Sequence, residues 1–196
     1  MKNKVLFLLI LLLYFILPII ILNNHMLFNC KFYILTIVGL FIFIMIKLCK
    51  ISNKELGIKK ENIFNSIKRN IPIIILFVVI VVIFRILNLN KFIPNESIMF
   101  YLFYIFISCP IQEFLYRGIF GYFETNLIKN KNITLVLSSL SYSFVHVIYK
   151  DIFTCLLTFI FGLVLYSLYR KDYNLAGVSL SHIILGILTI YLGIIN

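Results

Sequence analysis

Long apolar runs, separated by short basic segments, extend along almost the entire chain. Seven runs can be distinguished, and most are close to the ~20 residues that a helix needs to cross the hydrocarbon core of a bilayer. The pattern therefore predicts an all-α fold, a polytopic transmembrane helix bundle with about seven spanning helices. The runs comprise residues 5–22, 32–48, 71–87, 98–120, 133–147, 153–169 and 175–195.

The first run follows two lysines, as the apolar part of a signal peptide does. It is long, however, and no small-residue cleavage site separates it from the next run. We therefore interpret it as a retained first helix. The chain has no linker rich in Pro, Ser or Gly, which predicts one integral-membrane domain over residues 1–196.

Composition excludes a water-soluble domain. The chain is 62% hydrophobic and only 13% charged, whereas soluble domains carry about 25% charged residues. A soluble core of this size would leave apolar side chains that the polar residues could not cover. The abundance of Ile, Lys, Asn and Phe is typical of AT-rich bacterial genomes, so we expect the bacterial plasma membrane as the location.

The positive charge predicts an orientation in that membrane. The chain has 18 Lys and Arg against 7 Asp and Glu, but they lie between apolar runs and do not form the basic domain of a nucleic-acid-binding protein. Because basic residues are retained in cytoplasmic segments, we expect a cytoplasmic N-terminus. Thirteen basic residues then lie inside, and three lie outside, namely Lys31, Lys91 and Lys150.

The longest basic segment, residues 49–70, leaves two structures open. Apolar residues recur among its lysines, as in a helix that lies on the membrane surface. A solvated loop is equally compatible with the sequence. The four cysteines of the chain lie in or beside apolar runs without C-x-x-C spacing, which predicts neither a disulfide framework nor a cysteine metal site.

Four ionisable residues within the predicted spans are candidates for function. They are Glu113 and Arg117 in the fourth span, His146 in the fifth and His182 in the seventh. Each costs roughly 2.5–3.5 kcal/mol in hydrocarbon, so such residues usually face the interior of a bundle. Glu113 and Arg117 are four residues apart and can form an ion pair on one helix face.

Three helices can bring the carboxylate and the two imidazoles to one level of the membrane. Counted from the predicted inner helix ends at about 1.5 Å per residue, Glu113 and His182 lie roughly 11 Å deep and His146 roughly 20 Å. Helix tilt and a small error in the start of the fifth span can close that difference. We therefore expect one polar site within the bilayer.

A carboxylate and two imidazoles can perform two kinds of hydrolysis. A carboxylate can act as a general base on water while an imidazole stabilises the oxyanion. The set Glu113, His146 and His182 is also a His₂Glu zinc set with one position left for water. The residues alone therefore leave open whether the protein uses no cofactor or a zinc ion.

At these residues the chain resembles the CPBP (Abi) family of intramembrane proteases, which includes the type II CAAX prenyl endopeptidases and proteins linked to bacteriocin self-immunity. The family motifs are E-E-x-x-x-R, F-x-x-x-H and H-x-x-x-N/D. Between Cys109 and Gly186 they correspond to Gln112-Glu113 followed by Arg117, to Tyr142 followed by His146, and to His182 followed by Gly186. Gln112 thus replaces the first Glu of the family pattern, and Gly186 replaces the Asn or Asp.

The resemblance implies an endopeptidase that cleaves a membrane-associated peptide or protein tail, either CAAX-processing-like or related to leader peptides and bacteriocins. In the family the residue at the place of Gln112 is thought to activate water, and the Asn near the last His to assist the oxyanion. We expect Glu113 and His146 to handle water, His182 to stabilise the oxyanion and Arg117 to hold Glu113. An amide takes no proton near neutral pH, so the alternative is a catalytically impaired relative that binds a partner or confers immunity. A transporter or channel is a third possibility.

Overall fold

The computed structural model describes residues 2–194, and its regular structure in that range is entirely helical. Eight helices follow one another along this part of the chain, and the predicted all-α fold is confirmed. They are α1 (Lys2–Leu22), α2 (His25–Asn29), α3 (Lys31–Leu48), α4 (Ile63–Ile86), α5 (Ile98–Asn126), α6 (Lys131–Tyr149), α7 (Ile152–Asp172) and α8 (Leu175–Tyr191).

Six of these helices, α1 and α3–α7, are long and apolar enough to cross a membrane. The seventh predicted span corresponds to α8, which is apolar but has only 17 residues. That span was predicted to reach residue 195, which lies outside the described residues, whereas α8 ends at Tyr191. Large apolar side chains such as Ile37, Ile75 and Ile160 are exposed on the outer surface of the bundle, where lipid replaces water as the solvent.

The helices alternate in direction, so the connecting segments gather at two ends of the bundle. We call the end with residues 49–62, 127–130 and 173–174 the basic end. We call the end with residues 23–30, 87–97, 150–151 and 192–194 the opposite end. Backbone hydrogen bonds from Lys91 N and Phe92 N to Gly193 O, at 2.7 and 3.4 Å, join two segments of the opposite end.

The segment 49–70 divides into a turn-rich, largely exposed part and a helical part. Its last part, from Ile63 onward, forms the first turns of α4. The part before it folds onto the basic end, where Leu56 is fully buried. The Asn174 side-chain amide donates to Lys59 O and Glu61 O at 3.1 and 2.7 Å. This part of the segment therefore forms a cap on the basic end, because Leu56 is buried and the carbonyl groups of Lys59 and Glu61 accept hydrogen bonds.

A buried carboxylate joins α5 to α7 at the basic end. The Glu124 carboxylate accepts hydrogen bonds from Tyr166 Oη at 3.1 Å, Tyr173 Oη at 2.6 Å and Arg170 Nη2 at 2.7 Å. A buried charge is tolerated when it is paired and hydrogen-bonded in this way. We call these four residues the Glu124 anchor.

Helix α5 contains two wide, π-helical turns, Tyr104–Ser108 and Phe114–Gly118, one on each side of Pro110. Proline lacks an N–H and its ring crowds the carbonyl group four residues earlier; a wide turn is one way to continue the helix past it. In the second turn, Tyr14 Oη donates to Leu115 O at 2.8 Å. Ser138 Oγ donates to Tyr116 O at 2.5 Å. Wide turns of this kind are frequent at functional sites.

Candidate active site

A cluster of buried charges lies in the middle of the bundle. Glu113 and Arg117 are both 0% exposed, and Glu113 Oε1 lies 3.2 Å from Arg117 Nη1. The same oxygen lies 2.6 Å from Nδ1 of His182, which is 3% exposed. Because a carboxylate only accepts hydrogen bonds, Nδ1 of His182 carries a proton. The cluster therefore connects α5 to α8.

The buried cluster retains unused hydrogen-bonding capacity. Within residues 2–194, Glu113 Oε2 and the Arg117 nitrogens have no hydrogen-bond partner. The guanidinium carbon of Arg117 instead lies 4.2 Å from the centroid of the Tyr142 ring. Unsatisfied buried polar groups are costly and call for an explanation other than stability. A functional role for the cluster is one such explanation.

Tyr142 connects the two histidines. Its hydroxyl lies 3.2 Å from His182 Nε2, and its backbone carbonyl lies 3.0 Å from His146 Nδ1. A carbonyl oxygen can only accept, so Nδ1 of His146 donates this bond. The other ring nitrogen of His146, Nε2, is therefore the one with a free lone pair.

The two histidines line one cavity of about 500 Å³, within the range of small-ligand sites. Most of its wall is apolar and comes from the halves of the helices nearer the opposite end. Eleven Ser, Thr, Tyr, Gln and His side chains interrupt that wall, and two charged residues also line it. The charged residues are Lys31 and Glu96, and the other polar residues are Thr36, Tyr104, Ser108, Gln112, Tyr116, Tyr142, His146, Tyr149, Thr158, His182 and Thr189.

The structure separates the five predicted site residues into two groups. Gln112, His146 and His182 line the cavity. Glu113 and Arg117 are not among the lining residues and contact the cavity only through His182 and Tyr142. Gln112 donates from Nε2 to Ser108 Oγ at 2.9 Å. The amide of Gln112, not the neighbouring carboxylate of Glu113, is thus the side chain that faces the cavity.

Tyr104 is a lining residue that sequence reasoning missed. A Cβ added to Gly186 would overlap the Tyr104 hydroxyl and would lie 2.7 Å from Tyr104 Cζ. The phenol therefore occupies the space that any side chain at position 186 would need. Tyr104, Ser108 and Gln112 follow one another at intervals of four, so a polar stripe along α5 was the available sequence signal.

The zinc arrangement does not fit this geometry. No three His, Cys, Asp or Glu side chains within residues 2–194 come close enough together to hold a metal ion. Both ring nitrogens of His182 already face hydrogen-bond partners, namely Glu113 and Tyr142. We therefore derive no step that involves a metal ion.

The protein is thus a helical membrane bundle with a buried acid–imidazole pair behind a cavity with a polar floor. A family model described as "Type II CAAX prenyl endopeptidase Rce1-like" matches residues 94–188, a range that contains all five predicted site residues. This match supports membership of the CPBP (Abi) family, and the chain is an integral membrane protein. No curated protein and no solved structure matches the chain.

Proposed function

We propose that the protein is an intramembrane endopeptidase of the CPBP type that hydrolyses a peptide bond in a membrane-associated peptide or protein tail. The observation that carries this proposal is the shared cavity of Gln112, His146 and His182, with Glu113 directly behind His182. This arrangement combines a group that can take a proton from water with a group that can stabilise an oxyanion.

In this proposal His146 is the general base. Its Nε2 takes a proton from water while the water oxygen forms a bond to the scissile carbonyl carbon. The resulting oxyanion accepts hydrogen bonds from the floor of the cavity. When the C–N bond breaks, the imidazolium of His146 returns the proton to the leaving amine, so that a carboxylic acid and an amine are released. Gln112 takes no proton in this scheme and holds the water or the substrate backbone.

His182 is the oxyanion donor, and Glu113 and Arg117 are positioning residues. With a proton on each ring nitrogen, His182 donates from Nδ1 to Glu113. Its Nε2 faces the Tyr142 hydroxyl in the free protein and donates to the oxyanion once the substrate is bound. Glu113 fixes the orientation of that ring, and Arg117 holds Glu113. The family motifs alone suggested that Glu113 handles water. We assign Glu113 a positioning role instead, because its carboxylate lies behind the imidazole of His182.

Tyr104 completes the oxyanion site in this proposal. Its hydroxyl lies against Gly186, one helical turn after His182, where the family pattern has Asn or Asp. A phenol donates a hydrogen bond as a carboxamide does. The phenol therefore compensates for the missing side chain at position 186.

We expect Tyr104→Phe to lower kcat about tenfold or more with little change in KM, because a hydrogen bond to a charged group contributes about 1.5–3 kcal/mol. Two further variants separate the role of the hydroxyl as a donor from its role in packing. Tyr104→Ala removes the donor and opens space beside position 186. Tyr104→Ala/Gly186→Asn then places a carboxamide in that space. The double variant should recover activity relative to Tyr104→Ala. Tyr33→Phe, at an exposed tyrosine, is the control. Equal kcat for wild type and Tyr104→Phe would exclude the hydroxyl as a donor.

The substrates to be tested follow from the family. A farnesylated peptide represents CAAX processing, and a hydrophobic leader peptide represents the route linked to bacteriocins. We place the protein in a bacterial plasma membrane, with the basic end in the cytoplasm. The bilayer is then its permanent partner, and the substrate reaches it from the membrane.

Gln112→Glu is the experiment that tests the peptidase proposal. The new carboxylate would face the cavity beside His146 and could share the proton from water, so we expect cleavage at least tenfold faster than wild type. The rates would be measured on both peptides with protein in detergent. The wild-type Gln112 is the amide of the same size, and Gln112→Asn is a control that keeps the amide but shortens the side chain. Undetectable cleavage by both the wild type and Gln112→Glu would reject the peptidase.

A catalytically impaired relative that binds a membrane partner or confers immunity is the second candidate. The observation that favours it is Gln112, which places an amide where the family has a carboxylate. In this case a toxin-sensitive cell expressing the protein would be protected, and protection would persist in His146→Ala. Loss of protection in that variant, with the protein still folded in the membrane, would instead support catalysis.

A further inference from the structure

We infer that the cavity is entered from outside the cell, so that the substrate is an exported peptide and not a cytoplasmic protein tail. The inference rests on the proposed peptidase function only for the chemical nature of the substrate. The direction of entry rests on separate observations, namely the residues around the cavity and the distribution of charge along the chain.

The cavity extends to the opposite end of the bundle. Phe28, Phe92 and Glu96, which line it, belong to segments that connect helices there, and Ile194 follows α8 at the same end. No lining residue among those that the structure describes comes from residues 49–62, 127–130 or 173–174. A ligand can therefore approach the histidines past the opposite end, not past the basic end.

The basic end is closed by packed structure. A Cβ on Gly118 would lie 2.7 Å from Leu56 O, so that the capping segment contacts α5 directly. Gly57 O accepts a hydrogen bond from Leu175 N at 3.0 Å, which fixes the same segment to α8. The Glu113–Arg117 pair lies between this closed end and His182. The polar floor of the cavity is therefore shielded on the basic side.

The charge distribution assigns the basic end to the cytoplasm. Thirteen Lys and Arg residues lie at the ends of helices or in connections on that side, against four on the other, namely Lys31, Arg85, Lys91 and Lys150. Basic residues near short connections are retained in the cytoplasm during insertion, and the side with the excess sets the orientation. The mouth of the cavity consequently faces the exterior.

The mouth also limits the chemistry of the substrate. The Lys31 ammonium lies 4.1 Å and 4.8 Å from the ring centroids of Phe28 and Phe32, and Glu96 provides one opposite charge. The remaining wall is dominated by aromatic and aliphatic side chains, whereas hydrogen-bonding groups are concentrated at the floor. Such a cavity suits an apolar, extended peptide segment whose backbone reaches the floor.

Thiol labelling in intact cells tests the direction of entry. Cys49, which is exposed at the basic end, is the internal reporter for the cytoplasmic side when Cys30, Cys109 and Cys155 are replaced by Ser. In the same background with Cys49→Ser, the reporters for the mouth and the floor are Glu96→Cys and Ser108→Cys. A membrane-impermeant maleimide should label the last two in intact cells, and Cys49 only after the cells are made permeable.

The reverse pattern, with Cys49 labelled in intact cells and Glu96→Cys protected, would overturn the inference. So would a Ser108→Cys that reacts only from the cytoplasmic side. A second arm presents one hydrophobic leader peptide, fused to a membrane anchor, on either face of the cell, and cleavage is expected only outside. Cleavage only of the cytoplasmic fusion would retain the peptidase and reject this inference. External labelling without any cleavage would retain the orientation and reject the peptidase.

Discussion

His146→Ala lowers the rate of peptide cleavage by about 10²–10⁴-fold, the contribution of a positioned general base. His146 has a ring held through Nδ1 by the Tyr142 carbonyl, and its Nε2 can accept a proton in the cavity. The loss should appear in kcat and should be largest near and below neutral pH, where hydroxide is scarce. The measurement is the initial rate of cleavage over a range of pH.

Two further variants make this result specific. His25→Ala, at an exposed histidine of α2, should cleave at the wild-type rate. His146→Ala/Gln112→Glu should recover part of the lost rate, because the new carboxylate could supply a base to the same water. Identical rates for wild type and His146→Ala would show that another group takes the proton and would end the mechanism proposed above.

Arg117→Met destabilises the protein by about 3–5 kcal/mol, because it removes one partner of a fully buried ion pair. Glu113 is fully buried, and its remaining contact would be His182. The measurement is unfolding of the purified protein in mixed micelles with increasing denaturing detergent. Glu113→Leu/Arg117→Met removes both charges, so it should lose considerably less stability than Arg117→Met alone.

An exposed arginine provides the matched control for this prediction. The Arg69 side chain is 42% exposed and lies 2.9 Å from Asp172 at the surface of the basic end. Arg69→Met should therefore cost no more than about 1 kcal/mol, as exposed ion pairs do. Equal losses for the two arginine variants would mean that burial does not govern the Glu113–Arg117 pair.

The features that depend on one helix at a time could be predicted from the sequence. Apolar runs of spanning length located every long helix, and the interval of four between Glu113 and Arg117 predicted their pairing. The motif order also predicted which helices contribute His146 and His182. Hydrophobicity, rise per residue and helical periodicity determine each of these features locally.

The features that arise between helices could not be read in this way. The overlap of the Tyr104 phenol with the space beside Gly186 joins positions 82 residues apart and depends on how α5 packs on α8. The carbonyl of Tyr142 that orients His146 has no side-chain signature. The contact between Glu113 and His182 likewise depends on how α5 packs on α8. The burial of Leu56 could not be predicted either, because this residue lies in the lysine-rich segment 49–62.

The Glu124 anchor holds the half of the bundle nearer the basic end more firmly than the half nearer the opposite end. Hydrogen bonds from three side chains immobilise one half, and the buried residues of α3, namely Gly39, Ile42 and Ile46, all lie toward that half. The first two turns of α3, beginning at Lys31, contain no buried residue. The first half of α3 should therefore move more easily than the second, and amide exchange within α3 should be faster in residues 31–38 than in residues 39–46.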